Sequence, residues 1–133
     1  MRKRGSTDRN GSDWRRTALV AAVLFVGSVV PVPGGRHPEF EWFGPDKLLH
    51  LLGHGALAAV TADALGAGRV TPSDAVLAVG LSTGYAVILG RIQERIPGRE
   101  PERADLAASL LGSALGAAGR LHRSGETART AGE

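Results

Sequence analysis

Asp46, His50 and His54 stand four residues apart in the stretch DKLLHLLGHGALAAVTADAL. On a helix that spacing places a carboxylate and two imidazoles on one stripe that descends about 6 Å per step. Two imidazoles at i and i+4 beside a carboxylate could supply three ligands to a metal ion. No further Cys, His or Glu converges on them in the sequence, so the expectation is no bound metal or cofactor, with each imidazole hydrogen-bonded inside a bundle. Either histidine could also accept a proton. Lys47 can snorkel to an interface along its aliphatic stem or join the cluster. Arg99 follows the Pro97-Gly98 break and could hold a phosphate or carboxylate as a bidentate fork, or else pair with Glu100, Glu102 or Asp105 or anchor at the headgroups. Asp105 suits the start of a helix, where a carboxylate caps free N–H groups. With Gln93 these residues make one set: Asp46, Lys47, His50, Gln93, Arg99 and Asp105. Gly-rich phosphate loops, serine nucleophile elbows and zinc-protease motifs are all missing, which leaves the familiar enzyme classes without a foothold.

The elements that must position this set emerge from how polar and apolar residues are distributed. Of 133 residues, 43% are apolar, an ordinary share, yet the charges crowd into the two ends and the short connections. Four nearly uncharged stretches lie between them, as expected of a chain that meets both hydrocarbon and water. The predicted architecture is all-α: a bundle of four short transmembrane helices over about residues 17–32, 46–66, 74–96 and 105–119. Residues 1–16 are expected to form a disordered basic arm and residues 120–133 a disordered tail. Pro31 and Pro33 stop the first helix; Phe40, Trp42 and Phe43 suit a headgroup zone; Pro72 and Ser73 suit the start of the third. Helices 1, 3 and 4 are apolar or small all round, whereas a soluble bundle would show polar residues at helical intervals. Gly80-x-x-x-Gly84 and Gly112-x-x-x-Gly116 have the spacing of closely packed seams, within the bundle or, for Gly112 and Gly116, between two copies.

Other classes are excluded or disfavoured. The chain has no cysteine, which removes disulfides, thiolate metal sites and cysteine nucleophiles. The net charge is only +3, and the arginines surround apolar segments without interleaved aromatics, so no nucleic-acid partner is expected. The first apolar stretch follows an Arg-rich start but lacks a small-residue cleavage site, which favours a retained helix over a signal peptide. Lys and Arg divide ten on the side of the termini against six on the other, which puts both termini in the cytoplasm of a multi-pass cell-membrane protein. The polar set then lies at the outer face.

The combination Asp46-Lys47-x-x-His50, then Gln93, Pro97-Gly98-Arg99, Asp105 and Gly112-x-x-x-Gly116 resembles the VanZ-like family of small membrane proteins, over roughly residues 46–116. The family pattern has Glu where this chain has Gly90, Asn where it has Ser109 and more often an aromatic residue at His54. The resemblance implies a cell-envelope protein whose outward polar cluster binds an anionic lipid, a lipid-linked precursor or a glycopeptide-type ligand, with no reaction implied. The alternatives are an enzyme acting on an envelope lipid or glycan, with His50 or Asp105 as acid or base and Arg99 holding a phosphate, and a structural or partner-binding membrane protein.

Overall fold

The computed structural model describes residues 4–30, 44–98 and 102–132. It is all-helical, with four helices and no strand among the described residues: α1 (Arg4–Val29), α2 (Pro45–Gly66), α3 (Pro72–Gln93) and α4 (Arg103–Thr130). Of these, α2 and α3 are long and apolar enough to cross a membrane. The aromatic loop with Phe40, Trp42 and Phe43, and Arg99 itself, lie outside the described residues.

Local chemistry explains most boundaries. Pro45 opens α2, where its missing N–H costs nothing, and Ala67 and Gly68 leave it through the left-handed region with φ of 46° and 111°. Thr71 and Asp74 close a reciprocal capping box at the start of α3, the Thr71 amide donating to Asp74 Oδ2 at 2.8 Å and the Asp74 amide to Thr71 Oγ1 at 3.3 Å. After α3, Gly98 takes φ of 81° behind Pro97.

Two expectations fail at the ends. The arm expected to be disordered over 1–16 is helical from Arg4, because the chain contains no proline there and continues the helix of the apolar segment. Ser12 donates to the Arg9 carbonyl at 2.7 Å, Thr17 to that of Asp13 at 3.2 Å, and Arg16 lies 3.7 Å from Asp13 one turn away. The tail expected over 120–133 is helical to Thr130, since Gly119 does not adopt the left-handed turn that would end the helix. Tertiary contacts secure that extension: Arg120 pairs with Asp63 at 3.2 Å, and the Val70 amide donates to Ser124 Oγ at 3.0 Å.

The helices run up, down, up and down, and the tightest pair is the parallel one, α2 with α4. Glycine makes this approach possible. A Cβ at Gly112 would overlap the Leu51 carbonyl, and one at Gly116 would overlap that of Gly55. The glycine seam considered for a second copy is therefore filled by α2 of the same chain. By contrast, Gly80 and Gly84 of α3 have no atom within 4 Å of the point where a Cβ would stand, and they sit outside the packing. The core is small: Ala58, Ala62, Ala75, Ala78, Val70 and Ala117. All four helices turn large apolar side chains outward, among them Val23 and Phe25 of α1, Leu49 and Leu52 of α2, Val76 and Ile88 of α3, and Leu111 and Leu115 of α4.

Candidate functional site: a polar cleft between α3 and α4

The last turns of α3, the start of α2 and the first turns of α4 line a cleft of about 450 Å³. His50, Gln93 and Asp105, three of the expected residues, line it together with Gly90, Ser109, Arg91, Arg103, Glu94 and Glu102. His50 sits between two partners on α4: its Nε2 is 3.8 Å from Asp105 Oδ2 and its Nδ1 is 3.5 Å from Ser109 Oγ. Ser109, on the next turn after Asp105, donates its hydroxyl to the Asp105 carbonyl at 2.8 Å. Gln93 is buried and donates from Nε2 to the Ser28 carbonyl at 3.4 Å, which ties the end of α3 to the end of α1.

Lys47 is almost fully buried, and its ammonium donates to Glu102 Oε2 at 2.9 Å while standing 3.5 Å from Asp46 Oδ2. It is committed to acids of this chain. The carboxylates of Asp46, Glu102 and Asp105 each offer an oxygen within 4.8 Å of the others. A glutamate does therefore converge on the start of α2, against the expectation from sequence, because the Lys47 ammonium draws Glu102 in from the beginning of α4. Asp105 does not cap α4: the N-cap position before Arg103 is Glu102, which makes no side-chain cap hydrogen bond. The Asp105 Oδ1 atom is buried and has no hydrogen-bond partner among the described residues.

Below the cleft the polar residues continue into the bundle. Among the fully buried residues, each under 2% exposed, the largest side chains are His54, Ser82, Ser109 and Ser113, all of them polar. Ser82 donates its hydroxyl to the His54 carbonyl at 3.1 Å, and the same oxygen lies 3.2 Å from His54 Nδ1. With the hydroxyl proton on the carbonyl, Nδ1–H must be the donor in the second contact. Ser113 reaches Ser82 Oγ at 2.9 Å and the Ser109 carbonyl at 2.7 Å. The His50 and His54 rings lie parallel, 3° apart in plane, with centroids 6.2 Å apart. His54 Nδ1 meets Ser82 of α3, whereas the His50 nitrogens lie nearest Ser109 and Asp105 of α4.

Ser82, Ser113 and the two cleft arginines, Arg91 and Arg103, carry none of the motifs by which a sequence advertises a site. The one signal for the serines is spacing: Ser109 and Ser113 are four apart on the turns of α4 that also carry Gly112 and Gly116, the face that must be buried. Gly90 and Ser109, where the chain differs from the pattern it resembles, both line the cleft. The cleft also borders exposed apolar surface, since Val87 and Leu106 belong to its wall and are open to the surroundings.

No family model, no curated protein and no solved structure matches this chain. The site's own chemistry therefore carries the reading. It combines a polar floor, two guanidinium groups at the rim and an apolar flank, an arrangement suited to an amphipathic ligand.

Proposed function

We propose that the chain is a four-span, VanZ-like membrane protein of the cell envelope whose α3–α4 cleft binds the head group of a lipid or lipid-linked precursor. The observation that carries this reading is the cleft itself. Side chains of three helices make its floor polar, while Val87 and Leu106 open its wall to the apolar exterior of the bundle. A head group enters such a site while its acyl or prenyl chain stays against the helices.

Four spans are supported by the outward leucines, valines and phenylalanine on all four helices, a surface that in water would form large apolar patches. The excess of Lys and Arg on the side of the termini supports cytoplasmic termini and a cleft at the outer face. Lys47 is engaged by Glu102 and Arg91 by Glu94, so the anionic part of a ligand falls first to Arg103.

The direct test is native mass spectrometry of the full chain released from lipid nanodiscs, comparing the parent protein with Ala86→Phe, which puts a ring into the cleft from α3. Retained lipid should fall sharply while helicity is unchanged. Equal lipid retention by the two proteins would reject the cleft as the binding site.

A further inference from the structure

The charges around the cleft do not cancel evenly, and the remainder has a direction. Arg91 Nη1 lies 3.5 Å from Glu94, and Lys47 is shared by Glu102 at 2.9 Å and Asp46 at 3.5 Å, so both of these cations are engaged within the protein. Arg103 makes no ion pair among the described residues. Asp105 has Oδ2 near His50 and Oδ1 buried without a hydrogen-bond partner among the described residues. Arg103 and Asp105 are two residues apart in the first turn of α4, a spacing at which helical side chains do not face each other, so they do not neutralise one another. One unmatched cation and one under-satisfied carboxylate thus line the same cavity.

We propose that the ligand is zwitterionic at its head: a phosphate held by Arg103 beside a primary ammonium held by Asp105, the chemistry of an aminophospholipid. This rests on the lipid-binding reading above and makes it specific. An under-satisfied carboxylate inside a bundle is costly, and an ammonium in the cleft offers Asp105 Oδ2 the charge-assisted bond that His50, 3.8 Å away, is too far to make. The phosphate side gains from the start of α4, whose first amides have no partner inside the helix and whose dipole favours an anion. A purely anionic head group would satisfy Arg103 but place its charge beside Asp105 and Glu102. A quaternary ammonium would bring charge without any N–H to donate.

The experiment uses the full chain in nanodiscs containing equal parts of phosphatidylethanolamine, its N-methyl and N,N-dimethyl derivatives, phosphatidylcholine and phosphatidylglycerol, with retained lipids counted by native mass spectrometry. Retention should decline along the methylation series, with phosphatidylethanolamine favoured over phosphatidylcholine by about tenfold, the factor that one charge-assisted hydrogen bond provides. Asp105→Asn should flatten that preference, and Arg103→Ala should lower retention of every phospholipid. Equal retention along the methylation series overturns the proposal without requiring any variant to fold. Preferential retention of phosphatidylglycerol overturns it while leaving lipid binding intact, and retention of no phospholipid removes the underlying reading as well.

Discussion

The glycine seam between α2 and α4 allows the sharpest test of the packing. Replacing Gly116 by Ala puts a methyl group against the backbone carbonyl of Gly55, and replacing Gly112 does the same at Leu51. In both cases the obstacle is backbone, which cannot turn aside as a side chain would, so the helices have to separate. A gap of roughly 1 Å forfeits about a third of each dispersion contact, and with ~0.15 kcal/mol per atom pair over some tens of pairs the loss reaches about 2–3 kcal/mol. That agrees with the usual cost of overpacking, roughly 1–3 kcal/mol. Gly80→Ala and Gly84→Ala are the matched controls, since nothing lies within 4 Å of a Cβ at either position. There the better helix propensity of Ala should leave stability unchanged or raise it by up to about 1 kcal/mol. Unfolding of the purified protein in mixed micelles by SDS titration, followed by circular dichroism, measures all four variants. A stable G116A, or a G80A as damaged as G116A, would refute the seam.

Three further outcomes follow from the polar contacts. His54→Phe removes the ring nitrogen that Ser82 meets at 3.2 Å inside the bundle, and it should cost roughly 1–3 kcal/mol in the same SDS titration, with His54→Ala costing more because it also leaves a cavity. Lys47→Met removes the ammonium that offsets the mutual repulsion of Asp46, Glu102 and Asp105, so the single variant should unfold more readily than the double variant Lys47→Met with Glu102→Gln, an inequality that a double-mutant cycle reads directly. The Asp63–Arg120 pair is about one-third exposed, so Arg120→Ala should change global stability by less than about 1 kcal/mol. It should nevertheless speed amide exchange through residues 120–130, whose helix that pair anchors.

Topology has a separate check. A periplasmic-type reporter fused after Pro97 is expected to be active outside the cell, because Pro97 follows the end of α3 on the side opposite the termini. Activity of a cytoplasmic reporter at that position would reverse the proposed orientation.

Much of the scaffold is legible in the residues. Apolar stretches bounded by Pro31, Pro45, Pro72 and Pro97 correspond to four helices in the expected order, and α2 ends at Gly66, as predicted. The ends of α1 and α4 depart from expectation because polar composition does not by itself mean disorder. Charged residues are also good helix formers once a neighbouring apolar turn has supplied the nucleus. Gly112 and Gly116 show a different limit. A four-residue glycine repeat signals close approach, but whether the partner is the same chain or a second copy depends on which helix arrives there.

For the site, residue types are the readable part. Asp46, Lys47, His50, Gln93 and Asp105 are polar groups in or beside apolar helices, and such groups turn inward, as His50, Gln93 and Asp105 do in lining the cleft. Their partnerships are not readable. Lys47 meets Glu102 across fifty-five positions, His54 meets Ser82 across twenty-eight, and Ser113 meets Ser82 across thirty-one. Periodicity specifies which face of a helix is buried, since that depends on spacing within a single segment. The rotation and depth at which α4 settles against α2 depend on all the helices at once, and they alone set Asp105 beside His50 and leave Arg103 at the rim.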